Sequence, residues 1–324
     1  MRTFDYTRVR GLEETLAALG EPGTQPIAGG TELVNWLKEG IEEPRRLVDI
    51  NRLPLRDVGF ADGVLRIGAL ARMSDVAADE IVAARFPVLA QSLLLAASAQ
   101  LRNMASIGGN LMQRTRCPYF RADTAVPCNK RAEGSGCSAL HGDTGAAAIF
   151  GWSDRCVATH PSDLAVALAA LDAVVVVRGE RSERRIPASE FIRLPGDEPL
   201  RHNELRAGEL ITAVEVPGGA ERSYYLKVRE RASYEFAVVS VAAVVRAEGG
   251  TLTGVRLALG GVAHRPWRLT AAESALVGVD LGDTTALRSA LAASFTEARP
   301  LAGNEYKVTL AQRAAVRAIQ EAAA

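Results

Sequence analysis

All four cysteines of the chain fall within forty positions, at Cys117, Cys128, Cys137 and Cys156. The gaps between them are ten, eight and eighteen residues, in a segment that lacks helical or strand periodicity. Buried structural cysteines normally lie on the periodic face of a helix or strand, so this confinement predicts that the four thiols converge on one site. The spacing disfavours two disulfides and leaves open a four-thiolate zinc site and an iron–sulfur cluster.

The charge around the first two cysteines favours the cluster. Two acids, Asp123 and Glu133, lie near five basic residues: Arg114, Arg116, Arg121, Lys130 and Arg131. Four thiolates around a [4Fe–4S] core leave a net negative site, which local positive charge would stabilise. The alternative explanation of these side chains is a solvated loop.

Two glycine pairs have the residue types of a phosphate site. Gly29-Gly30 follows a short apolar strand pattern and precedes a helical one, and Gly108-Gly109 repeats the arrangement. A glycine pair lets backbone amides approach an anion closely, and a following helix N-terminus favours negative charge. Because most glycine pairs only make tight turns, these motifs alone do not establish a nucleotide site.

The elements that must position these residues indicate the α+β class. Apolar periodicity predicts helices over 11–19, 87–98, 163–171, 271–276, 285–295 and 304–322, and strands over 24–28, 46–50, 64–67, 173–177, 209–217, 238–246 and 252–260. Ser162 is the expected N-cap of the helix over 163–171, and the last two strands are expected to pair as an antiparallel hairpin around Gly249-Gly250. The pattern changes near 218–220, from mixed elements to strands followed by helices. This change predicts an N-terminal domain over 1–217, with subdomains of about 1–55 and 56–217 and a cysteine-bearing insertion over about 111–157, and a C-terminal domain over 218–324.

Composition excludes several classes of protein. The 324 residues carry 38 basic and 38 acidic side chains, so no net field attracts nucleic acid. With 48% hydrophobic and 23% charged residues, the chain is typical of globular proteins. The opening residues lack the apolar core of a secretory signal, and no run is long enough for a membrane helix. We therefore expect synthesis in the cytoplasm, with export inside a folded complex left open.

The order and spacing of three motifs resemble those of a known family. AGGTEL at 28–33, SIGGNL at 106–111 and HPSDL at 160–164 are similar to motifs of the FAD-binding medium subunits of the molybdenum hydroxylases. The inserted cysteine segment, with RCPYF at 116–120, CNKR at 128–131 and GCSAL at 136–140, resembles the FAD and [4Fe–4S] subunit of bacterial periplasmic aldehyde oxidoreductases. The flavin subunit of 4-hydroxybenzoyl-CoA reductase, which also has an inserted cluster, is the nearest competitor.

The resemblance implies a fold and a set of site residues. The fold is an FAD-binding domain of the p-cresol methylhydroxylase type, with two α/β subdomains, followed by a domain like that of the carbon monoxide dehydrogenase flavoprotein. Backbone amides of the two glycine segments would hold the diphosphate and the ribityl chain of FAD. Asp163 would bind a ribose or ribityl hydroxyl, and Lys227 and Tyr234 would lie near the isoalloxazine ring. The implied FAD-binding residues are Ile27, Ala28, Gly29, Gly30, Thr31, Glu32, Leu33, Ser106, Gly108, Gly109, Asn110, Asp163, Ile211, Lys227, Arg231 and Tyr234, and the implied cluster ligands are the four cysteines.

The resemblance also implies an electron-transfer subunit without a catalytic triad of its own. Electrons would come from a molybdenum-cofactor large subunit and a [2Fe–2S] small subunit, pass to FAD here, and leave to an external acceptor. Tyr234 stands where relatives that use NAD have an acid, so NAD is not the expected acceptor. The expected compartment is the periplasm, reached on a partner's signal, with the cytoplasm as alternative. Alternative functions are the flavin subunit of a xanthine dehydrogenase or 4-hydroxybenzoyl-CoA reductase, and a zinc-stabilised binding module.

Overall fold

A computed structural model describes residues 1–324 and begins with a small parallel sheet. Its elements are β1 (Asp5–Arg8), α1 (Leu12–Leu19), β2 (Thr24–Ile27), α2 (Leu33–Lys38) and β3 (Arg46–Asp49). The strand order is β1-β3-β2, and both pairs are parallel. Parallel strands end at the same edge of a sheet, where ligands of α/β units bind. The first glycine pair follows β2 at this edge.

The second subdomain contains an antiparallel sheet of five strands in the order β4-β5-β8-β6-β7. Its elements are β4 (Val58–Ala61), β5 (Val64–Gly68), α3 (Met73–Ala78), α4 (Glu80–Arg85), α5 (Pro87–Leu95), α6 (Ala99–Arg102), α7 (Ile107–Leu111), a single 3-10 turn (Ser138–Leu140), α8 (Asp163–Ala170), β6 (Val174–Arg178), β7 (Glu183–Pro187), α9 (Ala188–Phe191) and β8 (Leu210–Pro217). The apolar faces of this sheet, α3, α5 and α8 form the largest core of the molecule.

Helix α8 is buried along its whole length. Its sequence DLAVALAA is apolar on every face after the first residue, as a helix enclosed on all sides requires. Ser162 caps it, because the Ser162 hydroxyl accepts a hydrogen bond from the N–H of Ala165 at 3.0 Å. The predicted cap is therefore confirmed, and it places Asp163 in the first turn of a buried helix.

The C-terminal part is an antiparallel sheet in the order β12-β11-β10-β9, covered by helices. Its elements are β9 (Ser223–Val228), β10 (Val239–Glu248), β11 (Thr251–Gly260), β12 (Trp267–Arg268), α10 (Thr270–Ala275), α11 (Thr284–Ala292) and α12 (Tyr306–Ala323). The predicted hairpin is confirmed as β10 and β11, whose turn places Gly249 and Gly250 at φ 55° and 87°. Both central residues of a type I′ turn need positive φ, which glycine adopts without strain. No helix combines the length and the apolar character needed to cross a membrane.

The predicted α+β class and the long helices and strands are confirmed. The short helices α3, α4, α6, α7 and α9 have four to six residues each and were not predicted. A helix of one or two turns shows too little of a 3.6-residue period to be recognised. Tertiary packing holds these turns in place.

The segment between α7 and α8 has almost no regular structure, and buried side chains of the C-terminal domain hold its second half. The Lys307 ammonium is 1% exposed and donates to the carbonyls of Ala147 at 3.0 Å and Gly261 at 2.8 Å. The Asn304 amide also donates to Ala147. Burial lowers the pKa of Lys307 from 10.5 to about 8.

We expect Lys307 to make the stability of the protein depend on alkaline pH. Between pH 8 and 10.5 the unfolded chain binds the Lys307 proton and the folded chain does not, so the free energy of unfolding rises with pH in this window. Relative to Lys307→Met, the wild type should gain about 1.4 kcal/mol per pH unit between pH 8 and 10 in denaturant titrations. Lys38→Met, at an exposed lysine, is the control. A constant difference between wild type and Lys307→Met would contradict the expectation.

Candidate functional site: a cleft beside a cysteine cavity

A cleft of about 860 Å³ lies between the two N-terminal subdomains and is bordered by the β9–β10 loop. This volume is within the range of cofactor sites. Fourteen of the sixteen residues predicted to bind FAD line it: Ala28, Gly29, Gly30, Thr31, Glu32, Leu33, Ser106, Gly108, Gly109, Asn110, Asp163, Ile211, Arg231 and Tyr234. Ile27 packs instead in the small core beneath α2, and Lys227 lies behind Asp163. The sequence therefore located most of one continuous surface.

The loop from Gly29 to Glu32 has the form of an anion cradle. None of its four backbone N–H groups donates a hydrogen bond within the protein. A Cβ on Gly29 would lie 1.9 Å from the carbonyl oxygen of Met104, and Gly30 has φ 72°. The first glycine thus permits close backbone packing, and the second permits a left-handed turn that leaves the amides free.

Asn51 and Arg72, which the sequence did not single out, hold this loop in place. The Asn51 amide donates to the carbonyl of Ala28 at 2.9 Å, and the Arg72 guanidinium donates to Asn51 Oδ1 at 3.0 Å. Arg72 also donates to the Met104 carbonyl. These bonds join the two subdomains across the floor of the cleft. Each residue belongs to a loop or a helix boundary without a recognisable motif.

The second glycine pair contributes differently from the first. In α7 the N–H groups of Ile107 and Gly108 donate to the carbonyls of Ala71 and Ala69, and that of Gly109 donates to the Ser106 hydroxyl at 3.2 Å. These amides are already used inside the protein. The segment therefore lines the cleft without offering free amides. Glycine is favoured at position 109, because a Cβ there would lie 2.9 Å from the Ser106 hydroxyl.

Asp163 lies at the back of the cleft in a buried polar group. Its carboxylate accepts hydrogen bonds from the Lys227 ammonium and the Tyr225 hydroxyl, both at 2.7 Å. Burial raises the pKa of Asp163, while Lys227 and Tyr225 oppose this rise. Each carboxylate oxygen retains a lone pair for a ligand hydroxyl. Lys227 positions this carboxylate and does not itself line the cleft.

Two aromatic rings of the β9–β10 loop border the cleft. Tyr234 is 55% exposed and has φ 53°, which is unusual for a bulky residue. The Arg231 guanidinium donates to the Tyr234 carbonyl at 2.6 Å. The guanidinium of Arg116 lies over the ring of Phe236, with its central carbon 4.7 Å from the ring centre. The residue before the first cysteine thus contacts the loop that borders the cleft.

The four cysteines converge, as predicted, on one small cavity. Cys128 and Cys156 are buried, and Cys117 and Cys137 are half-buried. Cys128 and Cys137 face each other in an isolated antiparallel bridge, and the thiols of Cys137 and Cys156 are in hydrogen-bonding contact. None of the four forms a disulfide.

Backbone N–H groups act on all four sulfurs. Those two residues after each cysteine, at Tyr119, Lys130, Ala139 and Ala158, lower the pKa of the thiol and so favour its thiolate. Burial raises the pKa of Cys117 and Cys128, whereas the hydrogen bond from Cys156 lowers that of Cys137 to about 6. N–H groups directed at sulfur favour the thiolate form that binds metals.

No group of three or more His, Cys, Asp or Glu side chains is arranged to hold a single metal ion. A tetrahedral zinc ion with bonds of about 2.3 Å requires sulfurs roughly 4 Å apart. The cysteine cavity therefore does not present the compact geometry of a structural zinc site.

The arginines near the cysteines are paired, which differs from the free positive charge that the sequence suggested. Arg116 and Arg121 donate to the Glu32 carboxylate at 2.5 and 2.6 Å, and Arg121 also pairs with Glu39. Arg114 pairs with Glu42. Glu32 precedes α2, and Glu39 and Glu42 follow it, so their compensation of the arginine charges could not be seen from the local sequence. These ion pairs connect the loop to the first subdomain rather than to a cluster.

The histidines are placed by the tertiary structure. His160 precedes α8 and is neutral, because burial lowers its pKa to about 3. His264 is buried with both ring nitrogens unpartnered, and His141 is exposed. His202 lines the cleft and contacts Lys130, a position that its sequence spacing did not reveal.

Comparison with known proteins identifies the family. Residues 2–219 match the FAD binding domain in molybdopterin dehydrogenase, and residues 224–322 match the CO dehydrogenase flavoprotein C-terminal domain. The chain belongs to the FAD-binding medium subunits of the molybdenum hydroxylases. It is therefore a subunit of an oxidoreductase complex, and its cofactor is FAD.

Individual relatives agree with this assignment. The chain is 46% identical to the aldehyde oxidoreductase FAD-binding subunit PaoB of Escherichia coli (strain K12), over 100% of this chain and 99% of that protein. It is 27% identical to the carbon monoxide dehydrogenase medium chain of Hydrogenophaga pseudoflava, over 98% and 96% of the two chains. A solved carbon monoxide dehydrogenase from the same organism superposes with a TM-score of 0.76, covering 99% of this chain and 97% of that one. The predicted flavoprotein fold is thus confirmed.

The free amides of the 29–32 loop generate a prediction. Gly30→Ala should weaken FAD binding about tenfold, because a Cβ disfavours the left-handed turn that directs these amides at the diphosphate. Gly40→Ala is a matched control, since Gly40 has φ 64°, open space around its Cα and no place in the cleft. Both variants should lose about 1–2 kcal/mol of stability. Equal FAD affinity in the two, measured by flavin fluorescence, would remove the loop from the binding site.

Proposed function

We propose that the chain is the FAD- and [4Fe–4S]-containing electron-transfer subunit of a molybdenum-dependent aldehyde oxidoreductase. It passes electrons from molybdenum and [2Fe–2S] centres on a large and a small partner subunit to an external acceptor. The 46% identity to an aldehyde oxidoreductase subunit over the full chain supports the class of substrate. FAD supplies the redox chemistry, and the protein binds it and tunes its potential.

The observation that carries the cluster assignment is the cysteine cavity itself. Four sulfurs line one cavity, each with a backbone N–H directed at it, and yet they do not surround a single ion. A [4Fe–4S] core offers one iron to each cysteine, so it does not require the four sulfurs to meet at a single ion as zinc does. Hydrogen bonds to the sulfurs are among the main factors that set the potential of such clusters.

The Glu32 carboxylate supports close cooperation of the two redox sites. It lies in the FAD cradle and accepts hydrogen bonds from Arg116 and Arg121, which flank Cys117. The cysteine cavity is therefore held against the FAD-binding loop by side-chain bonds. A zinc-stabilised docking loop, the competing proposal, needs no such connection to the cleft.

Metal analysis tests the cluster. Cys128→Ser should remove iron, labile sulfide and the broad visible absorbance while leaving FAD bound, because Cys128 does not line the cleft. Ser138→Ala, which alters another side chain of the same cavity and keeps all four sulfurs, should retain its iron. Stoichiometric zinc without sulfide in the wild-type protein would establish the binding module instead.

Substitutions of Tyr234 test which external electron acceptor the complex uses. Hydride transfer to NAD needs an open flavin face with room for the nicotinamide ring, and an exposed aromatic at the border of the cleft narrows that access. The assembled complex should reduce quinones, dyes or oxygen far better than NAD. Tyr234→Ala should change acceptor preference more than the KM for aldehyde, whereas Tyr234→Phe should behave as wild type. Efficient NAD reduction by the wild-type complex would contradict this.

A further inference from the structure

Lys130 is a buried cation without an acidic partner. It is 6% exposed, lies in the wall of the cysteine cavity and interacts electrostatically with Cys117, Cys128 and Cys156. Its ammonium donates to the carbonyl of Pro199 at 2.9 Å and contacts His202 Nδ1 at 3.3 Å. Buried charges are normally paired, and the negative groups that act on this ammonium are Cys117, Cys128 and Cys156 of the cysteine cavity.

His202 carries this contact to the cleft. A lysine ammonium only donates hydrogen bonds, so His202 Nδ1 accepts and the neutral ring holds its proton on Nε2. The ring packs edge-on against Phe120, with centroids 6.2 Å apart. His202 lines the cleft, and its Nε2 has no partner in the protein. The remaining donor of the ring is therefore available to a molecule bound there.

We propose that His202 is a further FAD-binding residue and that Lys130, by fixing its tautomer, connects the cysteine cavity to the flavin site. His202 Nε2–H donates to a polar atom of FAD. One side chain thus separates the ammonium at the cysteines from the cofactor. The connection to the cysteines rests on the proposed function, whereas the contact of His202 with FAD does not.

The contact between Lys130 and His202 should couple the charge of the cysteine cavity to the flavin site. Inside the protein the effective dielectric constant is far below that of water, and hydrogen-bonded groups polarise one another. A change of charge in the cysteine cavity alters the polarisation of the Lys130–His202 pair. The affinity of the cleft for oxidised relative to reduced FAD, and hence the flavin potential, should follow the state of the cysteine site.

Two amide substitutions test the contact of His202 with FAD. In full-length chain, His202→Asn keeps an acceptor near Nδ1 for Lys130 but loses the Nε2–H, and should weaken FAD binding about tenfold. His202→Gln places an amide N–H near the former Nε2 and should stay within about threefold of wild type. Flavin fluorescence titration measures both affinities. Wild-type affinity in His202→Asn, or equal losses in the two variants, would overturn the contact with FAD.

The flavin midpoint potential tests the connection to the cysteines. Lys130→Met removes a positive charge and should shift the potential negative by about 30 mV, a tenfold change for a two-electron couple; Lys38→Met is the exposed control. Cys128→Ser should shift the flavin potential in the wild type, and less in the Lys130→Met or His202→Gln background. Equal shifts in all backgrounds, or an unchanged potential in Lys130→Met, would overturn the connection. Iron and sulfide analysis of the wild-type protein tests the cluster separately.

Discussion

The carboxylate of Glu32 is the interaction on which the two sites jointly depend. It accepts hydrogen bonds from the Trp36 indole at 2.9 Å and from the guanidinium groups of Arg116 and Arg121. Charge-assisted bonds of this kind contribute about 1.5–3 kcal/mol each, and removal of one partner leaves the others uncompensated. Glu32 belongs to the 29–32 loop that lines the cleft, so its bonds define the position of the cysteine segment relative to the proposed FAD cradle.

The hydrogen bonds to Glu32 are needed because the cysteine segment forms almost no regular structure. A loop of this length keeps one conformation only when other groups fix it. Its first half is held by α2 and neighbouring acids, and its second half by α12 and the loop that precedes it. There Lys307 and Asn304 bind the Ala147 carbonyl, and the Trp152 indole donates to the Arg299 carbonyl at 2.7 Å. The cysteine cavity therefore depends on both domains being in place.

The same segment reaches the flavin cleft at two points. Arg116 packs on Phe236 of the β9–β10 loop, and Lys130 contacts His202, which lines the cleft. Both residues lie next to or near a cysteine in sequence. A chain segment inserted between two FAD-binding elements thus contributes to the walls of the cleft, besides carrying a site of its own. This arrangement explains why the cradle, the border loop and the cysteine cavity form one connected unit.

How much of this could be read from the sequence depends on the range of the interactions. Local patterns were sufficient for the cap of α8, the β10–β11 hairpin and the glycine pair at 29–30, because each depends on neighbours in the chain. The confinement of four cysteines to an aperiodic segment was likewise enough to predict their convergence. Tertiary structure alone decided which amides remain free. The backbone amides of Gly29 to Glu32 remain free, whereas those of Ile107 to Gly109 donate hydrogen bonds within the protein.

The charged side chains show the same limit most clearly. From the sequence, Arg114, Arg116 and Arg121 resembled free positive charge for a cluster, and Lys130 was one basic residue among several. In the folded protein the arginines meet acids about 70 to 90 positions away, whereas Lys130 is buried against a carbonyl and a histidine and has no acid. The sequence determined the elements, the motifs and the family. Only the tertiary structure determined the pairing of charges. Coulomb energy depends on distance in space and on burial, and the order of residues along the chain specifies neither directly.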